Sequence, residues 1–229
     1  MIFEERLDVI LATLNKEKKI SNRYLTQRLG ISESTLRRDL DFLEDEGKIK
    51  RVHGGAVLTI NQDELSFSDN ELTNLEAKKA IAKKASKLIK DKMLIFIDGG
   101  STTNILIDYI EARDIKVVTN GITHLGKLME RKIPTSILGG EIKIKTGVSL
   151  GPIAMEELNN YKFDLAFLGA NGFDGDFYYT ADLNEALLKR RAKQMSDVCY
   201  VLADSSKENL LYHSKICRRE DCELIREDK

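Results

Sequence analysis

Cysteine is scarce in this chain of 229 residues, which contains only Cys199, Cys217 and Cys222. An odd and sparse set of this kind argues against a disulfide framework and favours reduced thiols. His213 lies close in sequence to two of the cysteines, but the group lacks a fourth ligand at the spacing of a recognisable zinc site. The sequence therefore predicts no bound metal.

Long hydrophobic runs are also absent, although hydrophobic residues make up 42% of the chain. No apolar segment has the length needed to cross a membrane, and the charged residues 1–6 do not have the composition of a signal peptide. We therefore expect a cytoplasmic protein with no membrane partner. The chain is long enough for a small domain and a medium-sized one.

The amino-terminal segment has the apolar spacing of three short helices. Ser21 and Ser32 are placed to cap the second and third helices, Gly30 supplies the turn between them, and Gly47 ends the third. The expected buried positions are Leu7, Ile10, Leu11 and Leu14 in the first helix, Tyr24, Leu25 and Leu29 in the second, and Leu36, Leu40 and Leu43 in the third.

A second stripe of the third helix is polar and begins with short hydroxyls and guanidinium groups, which is typical of the part of a recognition helix that enters the major groove. After Gly47, cationic and apolar residues alternate as in a short two-stranded wing. An isolated Arg-Arg pair is more often a solvated helix face, but the order of three helices and a basic wing favours DNA binding. The candidate DNA-contacting residues are Ser32, Ser34, Thr35, Arg37, Arg38, Lys48, Lys50, Arg51, His53 and Gly54.

The formal net charge is −1, but its distribution is uneven. Cations are concentrated between Lys16 and Arg38, whereas Asp39, Asp41 and residues 44–46 put negative charge on the distal half of the third helix. This balance limits nonspecific DNA binding and leaves few cationic contacts per subunit. A single winged helix should then bind weakly, so we expect a homo-oligomer, a dimer or a tetramer, on repeated half-sites of double-stranded operator DNA.

Residues 34–40, Ser-Thr-Leu-Arg-Arg-Asp-Leu, are followed by Gly47 and by Arg-Val-His-Gly-Gly-Ala at 51–56. This pattern resembles the DeoR family of bacterial transcriptional repressors. The resemblance implies a winged helix-turn-helix at residues 1–58 and a carboxy-terminal domain that senses a small molecule, usually a phosphorylated sugar.

Residues 59–75 are polar and acidic without clear periodicity, which predicts a linker. Residues 76–90 then have the pattern of an amphipathic helix whose buried side is Ile81, Ala85, Leu88 and Ile89. From there to the end of the chain, short apolar strands alternate with helices, which indicates a mainly parallel α/β sheet domain over residues 76–229.

Five predicted strands end in polar loops at residues 98–103, 119–121, 139–141, 169–172 and 204–207. In such sheets ligands bind at the carboxyl ends of the strands, so we expect these loops to converge on one crevice. The first loop, Asp-Gly-Gly-Ser-Thr-Thr, is the best candidate for holding a phosphate, because its glycines and hydroxyls offer donors at a helix start. Alone it is a weak signal, since Gly-Gly-Ser is more often a tight turn. It is neither a Walker loop nor a dinucleotide loop, so no cofactor is expected.

Those loops, together with residues 180–182 and 185–186, also resemble the DeoR sensor domain, whose fold is similar to ribose-5-phosphate isomerase. The resemblance implies a set of residues that border the effector: Asp98, Gly99, Gly100, Ser101, Thr102, Thr103, Asn120, Gly140, Glu141, Asn171, Thr180, Asp182, Glu185 and Lys207. For Lys207, as for Lys143 and Lys145, an exposed surface position is the default alternative.

An isomerase with a DNA-binding appendage is the alternative function. Aldose–ketose isomerisation needs a general base, commonly a carboxylate. The resemblance places Asn171 and Gly172 where the isomerases have carboxylates, and an amide cannot act as that base, although Asp174, Asp176 and Asp182 remain possible substitutes. The leading prediction is therefore a transcriptional repressor of sugar-metabolism genes, without catalytic residues, whose α/β domain binds a phosphorylated sugar. An activator built from the same parts is a further alternative, because the sequence does not distinguish repression from activation.

Overall fold

A computed structural model describes residues 1–17, 19–61 and 64–228. The chain divides into two compact units. The amino-terminal unit comprises Met1–Gln62 with Asn209–Leu211, and the carboxy-terminal unit comprises Asp63–Glu208 with Tyr212–Lys229.

The three helices predicted for the amino-terminal segment are present. The elements in chain order are α1 (Phe3–Glu17), β1 (Lys19–Ser21), α2 (Asn22–Leu29), α3 (Glu33–Asp45), β2 (Ile49–Val52), β3 (Gly55–Leu58) and β4 (Ile60–Asn61). All the predicted core positions are buried or half-buried except Tyr24, whose side chain is 44% exposed. The prediction for Tyr24 is wrong because its hydroxyl lies 3.0 Å from Arg28 Nη1 on the outer face of α2.

The predicted helix boundaries of this unit are confirmed. Ser21 and Ser32 cap α2 and α3, since their side chains accept hydrogen bonds from the Tyr24 and Thr35 amides. Gly30 follows α2 with φ 63°, a left-handed conformation that favours glycine.

The wing contains three strands where two were expected. Strands β2 and β3 form the predicted antiparallel hairpin, and β1 pairs with the other edge of β3. A Cβ on Gly55 would lie 2.1 Å from the Ile20 carbonyl oxygen, so β1 can approach β3 only because residue 55 is glycine. Strand β1 has three residues, too few for a recognisable alternation.

The carboxy-terminal unit has the predicted alternation of strands and helices. Its elements are α4 (Phe67–Leu72), α5 (Leu75–Ser86), β5 (Leu94–Ile97), α6 (Ser101–Asp108), β6 (Lys116–Thr119), α7 (Leu125–Glu130), β7 (Thr135–Ile137), β8 (Glu141–Lys143), β9 (Val148–Leu150), α8 (Pro152–Leu158), β10 (Phe163–Gly169), β11 (Gly172–Phe173), β12 (Phe177–Thr180), α9 (Leu183–Gln194), β13 (Ser196–Leu202), β14 (Leu211–Tyr212), β15 (Ser214–Arg218) and β16 (Glu223–Ile225). Short 3-10 turns occupy Ile122–His124, Ser205–Lys207 and Arg219–Asp221.

Six strands form one parallel sheet in the order β16-β13-β10-β5-β6-β7. Alternate residues of each central strand belong to two separate apolar clusters, as Ile95 and Phe96 of β5 do. One cluster includes buried residues of α5, α6 and α7, and the other includes buried residues of α8 and α9. The sheet is therefore covered by helices on both faces, as its near-continuous apolar strands predict.

Three boundaries differ from the prediction. Helix α5 ends at Ser86, and α6 begins at Ser101 inside the predicted phosphate loop. The segment predicted as a linker contains α4, whose start is capped by the Ser66 hydroxyl at 3.2 Å from the Asp69 amide. A helix of six residues is too short for apolar periodicity to reveal. Within the described ranges, no helix has the length and apolar composition to span a membrane.

Candidate functional sites

The polar face of α3 is solvent-accessible. Ser34, Arg37 and Arg38 are exposed, and neither guanidinium group makes an ion pair or hydrogen bond within the described part of the chain. The Ser32 hydroxyl lies 2.9 Å from the hydroxyl oxygens of Ser34 and of Thr35, in addition to capping the helix. Two long cations thus follow a cluster of hydroxyl groups at the helix start, an arrangement suited to base edges and phosphates.

A buried ion pair fixes α3 against α1. Arg6 donates from Nε and Nη2 to the two carboxylate oxygens of Asp39 at 2.7 and 2.9 Å, and Asp39 is 1% exposed. Hydrogen bonding to Asp39 raises the pKa of Arg6. Asp39, which the sequence analysis counted with the acids of the distal half of this helix, is thus buried and paired with Arg6, because α1 covers that side of α3.

The wing carries both exposed and engaged cations. Lys50 and His53 are exposed and Lys48 is half-buried, whereas the Arg51 guanidinium pairs with Asp41. The Arg51 amide also donates to Glu44 Oε1 at 2.7 Å. Two of the acids on distal α3 thus hold the wing to the helix, which reduces the free negative charge beside the cationic face.

In the carboxy-terminal unit, the ends of β5, β10 and β13 meet at one cavity, which we call the strand-end pocket. Eight of the predicted effector residues line it: Gly99, Gly100, Ser101, Thr102, Thr103, Asn171, Glu185 and Lys207. The sequence missed another group of lining residues: Glu64, Leu65, Phe67, Asn70, Lys78, Thr146, Lys189 and Asp204. Most of them come from the predicted linker and from helices, where no local motif marks them, whereas Thr146 lies in the turn between β8 and β9. Asp204 lies in the predicted loop at residues 204–207 but was not among the predicted effector residues.

Helix α6 begins at this pocket. Its first residues, Ser101, Thr102 and Thr103, are buried, and the Thr103 hydroxyl donates to the Asp98 carbonyl at 2.6 Å. The Gly100 carbonyl accepts from the Asn104 amide at 2.9 Å, so the amides before Asn104 belong to the first turn and have no acceptor within the helix. Such a helix start stabilises an anion.

Asp98 does not line the pocket, and its carboxylate is engaged by two buried neighbours. Asp98 Oδ2 pairs with Lys189 Nζ and accepts from the Gly169 amide at 2.9 Å. Burial alone would lower the pKa of Lys189, but Asp98 and then Glu185 raise it above its usual value. The pair closes the floor of the pocket with little net charge.

Two further ammonium groups reach the pocket. Lys78 is 1% exposed, and its Nζ donates to the backbone and side-chain oxygens of Asn70. Burial, followed by repulsion from Lys207, lowers the pKa of Lys78 to about 8. An anion between Lys78 and Lys207 would relieve that repulsion, which suits this end of the pocket to a phosphate.

Carboxylates are grouped around Lys143. Its Nζ lies 2.6 Å from Glu64 Oε2, 2.9 Å from Glu185 Oε1 and 3.4 Å from Asp182 Oδ2. Glu185 also accepts from the Thr146 hydroxyl at 3.2 Å. Burial and then the nearby Glu185 raise the pKa of Glu64. Of these acids Glu64 and Glu185 line the pocket, where their oxygen atoms form an acceptor-rich patch.

The remaining predicted effector residues lie outside the pocket lining: Asp98, Asn120, Gly140, Glu141, Thr180 and Asp182. Three of the five loops converge as predicted, but those after β6 and β7 do not, because β9 covers them. The Ser149 amide donates to the Asn120 carbonyl and its hydroxyl to the Gly139 carbonyl, both at 2.7 Å. A Cβ on Gly140 would lie 2.3 Å from the Leu150 carbonyl oxygen.

Several of these residues support neighbours that do line the pocket. Asn120 Oδ1 accepts from the Gly99 amide at 2.8 Å, and the Thr180 hydroxyl donates to Asn171 Oδ1 at 2.7 Å. Asp182 caps α9 by accepting from the amides of residues 184 and 185.

Of the substitute carboxylates considered for isomerisation, Asp174 and Asp182 are engaged by neighbouring groups. Asp174 accepts from the amides of Asp176 and Phe177 at 2.8 Å and from the Tyr179 hydroxyl at 2.8 Å. None of Asp174, Asp176 and Asp182 lines the strand-end pocket. The acids considered for the general base are therefore not placed to act on a ligand in that pocket.

Comparison with known proteins identifies both units. Residues 6–62 match the family described as the DeoR-like helix-turn-helix domain, and residues 73–229 match the DeoR C-terminal sensor domain.

Relatives match over most of their length. The chain is 37% identical to the uncharacterized HTH-type transcriptional regulator FruR of Bacillus subtilis, over 100% of this chain and 92% of that protein. It is 32% identical to the lactose phosphotransferase system repressor of Streptococcus mutans, over 89% of this chain and 83% of that one. Among solved structures, it is similar to ribose 5-phosphate isomerase A from Methanocaldococcus jannaschii, at 22% identity and a TM-score of 0.45 over 59% of this chain and 55% of that chain. The two matched domains and these relatives show that the chain belongs to the DeoR family of transcriptional regulators.

Proposed function

We propose that this protein is a repressor of sugar-metabolism genes, which binds operator DNA through α3 and the wing and is released by a phosphorylated sugar bound in the strand-end pocket. A relative named for repression of a lactose phosphotransferase system supports both the sign of regulation and the class of target gene. The same parts would serve an activator, and the position of the operator relative to the promoter decides between them.

The choice of a phosphorylated sugar as effector rests on the chemistry of the pocket lining, which combines groups that bind anions with groups that accept hydrogen bonds. One half has the start of α6 with Lys78 and Lys207, and the other has the oxygens of Glu64 and Glu185. A phosphate fits the first half, and hydroxyl groups, which donate hydrogen bonds, fit the second. A phosphorylated sugar carries both groups on one small molecule.

The proposed DNA contacts are Ser34, Thr35, Arg37 and Arg38 on α3, with Lys48, Lys50, His53 and Gly54 on the wing. Arg51 contributes by holding the wing to Asp41 as well as by its charge. These few cations per subunit support a homo-oligomer on repeated half-sites, because two linked weak contacts bind far more tightly than one.

Fluorescence anisotropy tests the proposal. The full-length protein is titrated into labelled DNA from upstream of its own gene and its neighbours, at fixed salt, with and without ribose 5-phosphate, glucose 6-phosphate, fructose 1-phosphate and fructose 6-phosphate. We expect a preference for one upstream segment over random DNA and release by at least one sugar phosphate. Equal affinity for random DNA would refute the proposed operator binding.

We further propose that the pocket binds its ligand without chemical change. Incubation of each sugar phosphate with the protein, followed by chromatography, should return the starting compound. Turnover that disappears when a pocket carboxylate is replaced would instead establish an isomerase.

A further inference from the structure

One wall of the strand-end pocket is built by the first described residues of the carboxy-terminal unit. Residues 64–70, which we call the connecting wall, contribute Glu64, Leu65, Phe67 and Asn70 to the lining. The amino-terminal unit extends to Gln62 in this part of the chain, so Glu64 lies only two positions further along the sequence. A ligand that contacts Glu64 would therefore contact the carboxy-terminal unit two positions along the sequence from the DNA-binding unit.

The connecting wall is held to the rest of its unit by hydrogen bonds and an ion pair. The Phe67 amide donates to the Lys145 carbonyl at 2.9 Å, and Lys78 Nζ donates to Asn70. The side chain of Glu64 is 9% exposed and pairs with Lys143. Glu64 is thus an acidic group that the wall inserts into the pocket.

Glu64 shares its closest cation with other acids. Lys143 Nζ lies 2.6 Å from Glu64, 2.9 Å from Glu185 and 3.4 Å from Asp182, and Lys189 is a further cation that acts on Glu64. Burial and then the charge of Glu185 raise the pKa of Glu64. A hydrogen-bond donor beside Glu64 would stabilise it, whereas a second anion would not.

The other half of the pocket takes the anion. Lys207 and Lys78 repel each other there, and α6 begins with amide donors. A ligand that fills both halves must carry an anionic group at one end and hydroxyl donors at the other. Inorganic phosphate would satisfy only the cationic half.

We propose that Glu64 accepts hydrogen bonds from the hydroxyl groups of the bound sugar phosphate, and that the connecting wall reports occupancy to the DNA-binding unit through this contact. The inference rests on the proposed function and names the residue through which the effector acts. It requires that the ligand bind the DNA-free form better than the DNA-bound form, with Glu64 supplying part of that difference.

Glu64→Gln tests this inference in the full-length protein, with operator release followed by anisotropy at constant ionic strength. The probes are the sugar phosphate that releases the wild-type protein and inorganic phosphate. Glu76→Gln is the matched control, because Glu76 is 87% exposed and pairs with Lys79 on the surface of α5. Losing hydrogen bonds to a charged group weakens ligand affinity by about tenfold or more.

We expect Glu64→Gln to need roughly tenfold more sugar phosphate than wild type, or more, for release, with each midpoint measured at a protein concentration set from that protein's own ligand-free operator affinity. Glu76→Gln should behave as wild type, and inorganic phosphate should not release the wild-type protein. Release of Glu64→Gln at the wild-type concentration, or release of wild type by inorganic phosphate, would overturn the inference while leaving the proposed function intact. Failure of every sugar phosphate to release wild type would overturn both.

If Glu64→Gln does not fold, Glu64→Asp provides the second test, since it keeps the charge and withdraws it by one methylene. We expect the release midpoint of Glu64→Asp to rise in the same direction. A midpoint equal to that of wild type would refute the contact.

Discussion

Removing one charge of the buried pair beneath the strand-end pocket should destabilise the carboxy-terminal unit. Asp98 and Lys189 are 1% and 4% exposed, and the Lys189 ammonium is the cation that faces Asp98 Oδ2. The substitution Lys189→Met keeps most of the side-chain volume and leaves Asp98 with the Gly169 amide as its remaining partner at that oxygen. A buried carboxylate without a counter-charge is strongly disfavoured.

We expect Lys189→Met to lower the free energy of unfolding by about 3–5 kcal/mol, as for other buried ion pairs that lose one partner. In a unit of this size the cost corresponds to a fall in melting temperature of roughly 6–20 °C. Asp98→Asn combined with Lys189→Met removes both charges and keeps an oxygen for the Gly169 amide. We therefore expect the double variant to be more stable than Lys189→Met alone.

Urea unfolding of the full-length protein, followed by far-ultraviolet circular dichroism, measures these differences. Two units give two transitions where their stabilities differ, so each transition is fitted separately. Arg6→Lys, in the amino-terminal unit, serves to identify which transition belongs to which unit. The argument that the two charges are coupled would be refuted if Lys189→Met were as stable as wild type. It would also be refuted if the double variant changed the free energy of unfolding by the sum of the changes in the two single variants.

Three further outcomes are expected. Arg37→Ala should weaken operator binding by about 1–3 kcal/mol if its guanidinium contacts a base through two hydrogen bonds, while sugar phosphate binding is unchanged; undiminished operator affinity at fixed salt would remove Arg37 from the base contacts. Lys207→Ala should blunt the response to sugar phosphate while the ligand-free protein still binds the operator, and an unchanged release midpoint would exclude Lys207 from the phosphate site. Burial lowers the pKa of His124 to about 4, whereas the pKa of the same imidazole in the unfolded chain is about 6.5. The unfolded state therefore binds the proton first as the pH falls from about 6.5 to about 4, and up to about 3 kcal/mol of stability is lost in that window. The variant His124→Gln should lose less stability than wild type between pH 7 and pH 4.5 in urea unfolding, and equal losses would contradict the assignment.

The DNA-binding unit was largely predictable because its signals are local. Ser21, Gly30, Ser32 and Gly47 mark helix ends through contacts with residues a few positions away. The apolar stripe of α3 follows directly from helical geometry. Two features of this unit were not predicted, because they depend on tertiary packing. Helix α1 covers Asp39, and β1 approaches β3 at Gly55.

The pocket was only partly predictable for the same physical reason. Strand ends and glycines are local signals, and they located the loops at 98–103, 169–172 and 204–207. The sheet order could not be read from one strand at a time, so the sequence did not show that β9 would cover the loops after β6 and β7.

The sequence by itself determined the family, the two kinds of fold and the helix that carries Arg37 and Arg38, because each depends on short motifs and on periodicity. Only the tertiary structure decided which charges meet. Lys189 joins Asp98 across 91 positions and Lys143 joins Glu64 across 79, distances along the chain over which no local pattern links one residue to another. Burial then determines how strongly each of those charges depends on its partner.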